Sequence, residues 1–248
     1  MTVIKSSEEV AIMRQAGRVV AAVLQRLKDE IKPGIKTGRL ESVAVSELRK
    51  CGAKASFKGY RGFPAHLCVS VNDEIVHGIP GERRLDEGDI VSLDFGAMVG
   101  GFHGDAAITV GVDGISSKAQ QLLAVTEAAL MAGIKAASYG AHLGDVSAAI
   151  QGYVETRGFS VVREYSGHGV GRDLHEDPLV PNFGSRGRGP VLKEGMTLAL
   201  EPMVTTGDWR TRLTEDQWTV LTVDGSLSAH FEHTIAISKG EPEILTLL

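Results

Sequence analysis

The sequence predicts an α+β protein in which a helix-helix-strand unit occurs twice. In both halves of the chain, a long and then a shorter segment with apolar residues at helical spacing precede strand-like segments. The ten residues Leu85–Asp94 also align with Leu192–Glu201 at a constant shift of 107 positions. We therefore expect a single domain over residues 1–248, with repeat halves at about 5–110 and 115–240.

In the first half, a capping box begins a long amphipathic helix. Ser6 and Glu9 have the required spacing, and the apolar positions that follow predict a helix that ends before Pro33. Thr37 is expected to cap a shorter helix that ends near Cys51.

The second half repeats this order. Ser117 and Gln120 are expected to cap a long helix that runs to about Ser138, and a shorter helix is expected at about 145–155. Asp94 and Glu201, the last residues of the two aligned segments, are expected at equivalent places facing one cleft. Chance similarity over ten residues is the alternative.

Composition argues against several classes of protein. The net charge of −5 is unlike that of a general nucleic-acid binder, so DNA is not an expected partner. The longest apolar run near the start, Val19–Leu24, is far shorter than the roughly 20 residues that span a membrane. Acids at positions 8 and 9 stand where a secretory signal has its apolar core, so we expect a cytoplasmic protein. Cys51 and Cys68 are expected to be free thiols.

Two carboxylates are expected to converge on a β-hairpin. The turn dipeptide Gly100-Gly101 joins two apolar segments, and in a two-residue hairpin the paired positions sum to 201. Asp94 and Asp105 then lie diagonally on one face. Two acids on an apolar surface repel each other and lose hydration unless cations neutralise them, so the pair indicates a metal site. An acid solvated at the hairpin edge is the alternative.

Three further residues fit the same kind of site. Glu201 ends one apolar strand segment, and Glu232 begins another. His168 lies in Gly167-His-Gly-Val-Gly171, where small neighbours allow close approach to the imidazole. This glycine pattern lacks the spacing of a nucleotide-binding loop. Four carboxylates and one imidazole balance the charge of two divalent ions, with hard oxygen ligands in the majority.

In their order and contexts, these five residues resemble the metal ligands of the type I methionine aminopeptidases, the short bacterial form of the pita-bread metallopeptidases. The contexts are Leu-Asp94-Phe-Gly, Gly-Phe-His-Gly-Asp105, Gly-His168-Gly-Val-Gly, Leu-Glu201-Pro-Met and Phe-Glu232-His-Thr. The resemblance covers nearly the whole chain and implies a duplicated fold, a curved antiparallel β-sheet covered by helices, with pseudo-twofold symmetry. It implies that Asp94 holds one ion, that His168 and Glu201 hold the other, and that Asp105 and Glu232 bridge both.

The resemblance also implies an activity, the metal-dependent removal of the initiator methionine from nascent proteins and peptides before a small second residue. A hydroxide bridging the ions would attack the scissile carbonyl, with Glu201 as the general base. His175 would stabilise the oxyanion, and His77 would contact the scissile amide nitrogen. The ligand chemistry permits cobalt, manganese, iron or zinc.

A substrate pocket for the methionine side chain is implied at six apolar or aromatic positions. They are Phe57, Tyr60, Phe63, Cys68, Leu174 and Trp218. Phe57 and Leu174 depart from the cysteine and phenylalanine of the best-known bacterial members, so the shape of this pocket is expected to differ. Taken singly, each position is as compatible with core packing.

Two other functions stay open from the sequence. An X-Pro aminopeptidase or prolidase would use the same five ligands, but those relatives usually carry an additional N-terminal domain, and here the first repeat begins by Ser6. A non-catalytic, partner-binding member of the fold would have lost metal ligands, whereas all five are present here.

The expected partners are peptide N-termini that bear methionine. A local basic area formed by Lys54, Lys58, Arg61, Arg83 and Arg84 would suit transient association with the ribosome, with a solvated face as the alternative. The segments leave no further amphipathic face for a second subunit, so we expect a monomer.

Overall fold

A nine-stranded sheet and four α-helices form the frame of the molecule. The computed structural model describes residues 2–248. Within them the helices are α1 (Ser7–Glu30), α2 (Thr37–Lys50), α3 (Ser117–Ala136) and α4 (Leu143–Glu155), with a short 3-10 helix at Tyr60–Gly62. The strands are β1 (Lys54–Ala55), β2 (Cys68–Val71), β3 (Glu74–Val76), β4 (Ile90–Val99), β5 (Phe102–Gly111), β6 (Ser160–Val161), β7 (Ser166–Gly169), β8 (Glu176–Pro181), β9 (Thr197–Leu200), β10 (Met203–Thr205), β11 (Thr211–Leu213), β12 (Val220–Thr222), β13 (Ser228–His230), β14 (Glu232–Ala236) and β15 (Glu243–Ile244).

The main sheet runs in the order β1-β4-β5-β14-β9-β7-β8, with β2 also paired to β4 and β15 to β14. Its ladders are all antiparallel. Two three-stranded sheets accompany it, β13-β10-β6 and β11-β12-β3. The predicted α+β class is therefore confirmed.

The central hairpin has the predicted register. In β4 and β5, Asp94 lies opposite Ala107, and Gly96 lies opposite Asp105. The turn residues Gly100 and Gly101 have φ values of 58° and 82°, which suit a two-residue turn that needs φ above zero at both positions.

The long helix α1 begins as the sequence predicts. The Ser6 hydroxyl accepts a hydrogen bond from the Glu9 N–H, and the Glu9 carboxylate accepts one from the Ser6 N–H. Met13, Val20 and Leu27 on the inner face of α1 are fully buried. Complete burial of such side chains contributes roughly 1.5–3 kcal/mol each to folding.

Two predicted caps are wrong by one residue. Thr37 is the first residue of α2 and makes no capping hydrogen bond. Its hydroxyl instead accepts the Gly81 N–H at 2.8 Å, because the start of α2 packs directly on that segment. Ser116, the neighbour of the expected Ser117, caps α3: its backbone is extended, as an N-cap requires, and its hydroxyl accepts the Ala119 N–H.

Equivalent backbone hydrogen bonds recur in the two halves. The Gly34 N–H donates to the Leu85 carbonyl oxygen at 2.7 Å, and the Gly140 N–H donates to the Leu192 carbonyl oxygen at 2.9 Å. Each bond ties the loop before the second helix of its half to the segment that leads into the aligned strand. The repeat that the sequence indicates is therefore accompanied by similar backbone contacts.

Two apolar clusters hold the helices on the main sheet. One, which includes Val20 and Phe95, joins α1 and α2 to the strands of the first half. The other, which includes Leu130 and Leu198, joins α3 and α4 to the strands of the second half. In residues 2–248, no helix is long and apolar enough to cross a membrane.

Candidate active site

Three neighbouring strands place three carboxylates on one face of the main sheet. Asp94 of β4 and Glu232 of β14 are both paired with Ala107 of β5, one from each side. Asp105 precedes Ala107 by two residues on β5. Because alternate residues of a strand point to the same face, all three carboxylates share it.

The next two strands add a fourth carboxylate and an imidazole. β14 pairs with β9, and Glu201 directly follows the last residue of β9. β9 pairs with β7, which carries His168. The His168 Nε2 lies 3.6 Å from the Glu201 Oε1, and its Nδ1 lies 2.9 Å from the carbonyl oxygen of Gly169. Since a carbonyl can only accept, Nδ1 carries the proton and Nε2 presents its lone pair to the acids.

These residues fit a divalent cation. Ligand atoms of Asp105, His168 and Glu232 lie within 4.8 Å of one another, and all three residues are buried. Within the described chain, one buried carboxylate oxygen each of Asp94, Asp105 and Glu232 has no hydrogen-bond partner. Buried oxygens without partners are costly, and a cation that they coordinate removes the cost. Carboxylate oxygens with an imidazole are donors that divalent transition metals accept.

Burial raises the pKa of all four carboxyl groups. It brings Asp94 and Glu201 to about 7, with the Glu201 charge as a further cause for Asp94. Burial is also the largest cause for Asp105 and Glu232, and the neighbouring carboxylates add to it. The charged forms of these acids therefore need a cation beside them, and metal binding should release protons.

All thirteen site residues that the sequence indicates line one cavity of about 410 Å³. Besides the four acids and His168, they are His77, His175, Phe57, Tyr60, Phe63, Cys68, Leu174 and Trp218. The cavity thus joins a buried charged cluster to an apolar wall.

The apolar wall is a packed cluster. Phe57, Phe63, Cys68 and Leu174 are each at most 7% exposed and lie in one apolar group, against which Tyr60 and Trp218 pack. The rings of Phe63 and Trp218 meet edge to face, with their centroids 5.1 Å apart.

Asp216 fixes the turn that carries Trp218. Its Oδ1 accepts the N–H of Trp218 at 2.7 Å and the N–H of Thr219 at 2.8 Å. Burial works against the charged carboxylate, but the hydrogen bonds from Thr214, Thr219 and Trp218 outweigh it and lower the pKa of Asp216 to about 2. The Asp216 carboxylate therefore stays charged and keeps these hydrogen bonds across the neutral pH range.

The two histidines outside the acid cluster are held by aromatic rings. His77 has a φ of 61° and meets Tyr165 edge to face at 5.8 Å. His175 stacks on Tyr60 at 5.2 Å, and its ring centre is 4.1 Å from that of His168. Burial, with neighbouring imidazoles as a further cause, lowers the pKa of His77 to about 4 and that of His175 to about 3. Both rings are therefore neutral near pH 7.

Several residues at the site lie outside the sequence prediction. Tyr165 and Met203 also line the cavity. His230 is buried, and its Nε2, which has no hydrogen-bond partner among the described residues, lies 3.5 Å from the Glu201 Oε2. Its spacing of two residues from Glu232 was a usable signal, because an extended chain puts such residues on one face. Tyr165 and Met203 carry no comparable signal.

Comparison with known proteins is consistent with this geometry. The family model described as metallopeptidase family M24 matches residues 11–239. "Methionine aminopeptidase 1" of Bacillus subtilis is 53% identical over 246 residues, which cover 99% of each chain. The crystal structure of a methionine aminopeptidase from Thermotoga maritima superposes with a TM-score of 0.99 at 48% identity and covers 100% of both chains. A prolidase from Pyrococcus furiosus shares the fold, with a TM-score of 0.81 at 21% identity over 100% of this chain and 66% of that one. This chain therefore belongs to metallopeptidase family M24, with the pita-bread fold and a buried site for divalent metal.

Proposed function

We propose that this chain is a methionyl aminopeptidase, which removes the N-terminal methionine of nascent proteins and peptides and prefers a small second residue. The observation that carries the proposal is the cavity itself, in which a buried acid and histidine cluster adjoins a pocket of apolar and aromatic side chains. The identity of 53% to a protein named methionine aminopeptidase 1 supports it.

We propose that the cluster holds two divalent ions of cobalt, manganese, iron or zinc. Asp94 would hold one, His168 and Glu201 the other, and Asp105 and Glu232 both. Four carboxylates balance the charge of two such ions, which supports this number. When bound, the ions supply Lewis acidity that polarises the scissile carbonyl and makes water acidic enough to react near neutral pH.

Glu201 is the proposed general base. Its Oε1 faces His168 at 3.6 Å and its Oε2 faces His230 at 3.5 Å, so the carboxylate lies between two imidazoles. It takes a proton from the attacking water and passes it to the leaving amine. In the metal-free site, burial raises the pKa of Glu201 to about 7, and bound cations would lower it again, so that the carboxylate is charged and able to accept the proton of the water.

His175 and His77 are proposed to act as neutral hydrogen-bonding groups. His175, next to His168, donates to the carbonyl oxygen as negative charge develops there, and His77 contacts the nitrogen of the scissile amide. Because the lowered pKa values keep both rings neutral at pH 7, each ring can donate a hydrogen bond from one nitrogen and accept one at the other.

The apolar cluster is proposed to bind the methionine side chain. An unbranched thioether can follow an irregular apolar pocket and makes favourable contacts with aromatic rings such as those of Phe63 and Trp218. A hydrophobic pocket distinguishes one methylene group by only about 1–3 kcal/mol. Leucine has as many side-chain heavy atoms as methionine but is branched and shorter, a difference of similar size, so methionine should be preferred over leucine by a finite factor of about 10- to 200-fold.

We propose that residues 1–248 form one catalytic domain of two related halves, acting as a cytoplasmic monomer.

For ribosome association, exposed Arg83 and Arg84 are the candidate contacts. The Arg83 guanidinium already pairs with Glu74 at 2.8 Å, and Arg84 donates to the carbonyl oxygen of Gly34. Unchanged ribosome binding by a variant with glutamate at both arginines would exclude this surface.

Three peptides test the reaction. Chelator-stripped protein is given Met-Ala-Ser, Leu-Ala-Ser or Ala-Pro-Ala, with and without Mn²⁺ or Co²⁺, and release of the first amino acid is measured. We expect metal-dependent release of methionine, with little from the two controls. Release from Ala-Pro-Ala instead would assign an X-Pro peptidase, and no release from any peptide with metal bound would favour a partner-binding role.

A further inference from the structure

A lysine close to the N-terminus is buried behind the turn that carries His175. The Lys5 Nζ lies 2.5 Å from the Glu176 Oε2, and their side chains are 2% and 8% exposed. Lysine is almost never fully buried unless it is paired. Glu176 directly follows His175, so this ion pair is one residue from a proposed substrate contact.

Glu176 also holds the other end of the turn. Its Oε1 accepts the N–H of Arg172 at 2.9 Å and the N–H of Asp173 at 3.3 Å. One carboxylate thus closes the connection between β7 and β8 and leaves its second oxygen for Lys5. Through Lys5, this turn is bonded to the N-terminal segment, which is distant from the turn in sequence.

Lys5 is itself fixed in place. Its N–H donates to the carbonyl oxygen of Gly195 at 2.8 Å, and its Nζ also donates to the carbonyl oxygen of Val3 at 3.3 Å. The ammonium group therefore cannot follow the turn if the turn moves, so it acts as an anchor.

Gly171 provides the space for this pair. A Cβ added there would lie 2.7 Å from the Lys5 Nζ and would clash with the Glu176 Oε1. The last glycine of the Gly167-His168-Gly169-Val170-Gly171 run, which the proposed reaction does not use, is thereby explained: it makes room for the anchor.

We propose that Lys5 is a positioning residue that acts through Glu176 to hold the His175 ring against Tyr60 and His168. The inference rests on the proposed function, since it concerns the use of His175. Displacement of a catalytic contact by about 1 Å costs on the order of 100-fold in rate, so loss of the anchor should appear in kcat. KM should change less, because five of the six pocket residues lie outside this turn and only Leu174 belongs to it.

The test compares Lys5→Met, which keeps the length but removes the charge, with Lys5→Arg, which keeps the charge. Arg14→Met is the matched control, because Arg14 of α1 makes an ion pair with the distant Glu243, with side chains 36% and 42% exposed. With Mn²⁺ bound and Met-Ala-Ser as substrate, we expect Lys5→Met to lower kcat about 10- to 100-fold and KM to change less than about threefold. Lys5→Arg should recover much of kcat, and Arg14→Met should match the unaltered protein.

A double-mutant cycle separates positioning from general destabilisation. In a His175→Ala background, Lys5→Met should change kcat by less than about twofold, because the group that Lys5 positions is already gone. The same loss in both backgrounds would overturn the proposal, and so would a folded Lys5→Met protein with the kcat of the unaltered protein.

A second variant is needed if Lys5→Met fails to fold, since that substitution leaves the buried charge of Glu176 unpaired. Lys5→Met with Glu176→Gln removes both charges and retains the amide oxygen that accepts from Arg172 and Asp173. We expect this double variant to fold, bind Mn²⁺ in the same ratio and show the same fall in kcat. A normal kcat would refute the anchor, whereas absence of methionine release from the unaltered protein would refute the proposed function instead.

Discussion

The contact between α1 and β5 offers a sharp test of how the fold positions the acid cluster. Gly104 of β5 precedes Asp105, and a Cβ added at Gly104 would lie 2.9 Å from the backbone nitrogen of Gly17 and 3.1 Å from the carbonyl carbon of Ala16. Ordinary van der Waals contact begins near 3.4 Å, so Gly104→Ala requires the helix and strand to separate by a few tenths of an ångström. Because backbone atoms stand on both sides, no flexible side chain can absorb the shift.

The expected effect follows from this overlap. Overpacking of a well-packed interior costs about 1–3 kcal/mol, which corresponds to a fall in Tm of roughly 2–12 °C for a domain of this size. Because Asp105 moves with the strand, Mn²⁺ affinity should fall by about 10-fold, as when a residue that orients a metal ligand is removed.

Gly152→Ala is the matched control. Gly152 lies in α4, and a Cβ added there would meet no atom within 4 Å. Since alanine favours the helix over glycine by about 0.5–1 kcal/mol, this variant should raise Tm by roughly 1–4 °C and leave Mn²⁺ binding unchanged. Thermal melting of metal-free protein and calorimetric Mn²⁺ titration measure both effects. If Gly104→Ala matched Gly152→Ala in both assays, the close contact between α1 and β5 would not control the metal site.

Three further predictions concern the acids and the pocket. Glu201→Gln should lower kcat by about 10²- to 10⁴-fold with metal still bound, as expected for loss of a general base. Phe63→Ala, which removes a ring that is 5% exposed and contacts Trp218, should lower kcat/KM for Met-Ala-Ser by about 5- to 150-fold and lower that for Leu-Ala-Ser less. Metal-free Asp94→Asn should melt higher than the metal-free unaltered protein at pH 8, and this advantage should shrink at pH 5.

The sign of the Asp94 effect follows from its pKa. Burial raises the pKa of Asp94 from 3.8 to about 7, so the folded protein keeps a proton that the unfolded chain has already lost between these values. The stability linked to this proton is fully present below pH 3.8 and is lost as the pH rises through about 7. Asparagine has no such dependence. An advantage of Asp94→Asn that grew toward acid pH would contradict the sign.

Retained turnover by Glu201→Gln with metal bound would remove Glu201 from proton transfer. Equal losses for methionine and leucine peptides in Phe63→Ala would mean that Phe63 supports the fold without selecting the side chain.

The sequence predicted the pair of Asp94 and Asp105 because the geometry of their hairpin is local. Gly100-Gly101 allows only a short turn, and a two-residue turn sets the register that places Asp94 and Asp105 on one face. The positions of Glu201 and Glu232 at strand ends were equally visible, since a carboxylate beside an apolar strand needs a partner.

Other features depend on contacts that the sequence does not reveal. Thr37 looks like a helix cap, but Gly81, distant in sequence, takes its hydroxyl. Adjacent serines at 116 and 117 offer two caps of equal chemistry, and in the structure Ser116 is the cap. The ion pair between Lys5 and Glu176 joins residues 171 positions apart, and neither residue has a distinctive local pattern.

Methionine release is expected to depend on metal held by the buried acid cluster. The most direct test adds Mn²⁺ stepwise to metal-free protein and measures bound metal and methionine release from Met-Ala-Ser in the same samples. We predict that release is absent without metal and rises with bound Mn²⁺ until the cluster is filled, and that Glu232→Gln lowers both quantities. Undiminished release by the metal-free protein, or full release by a Glu232→Gln protein that binds no Mn²⁺, would contradict the claim.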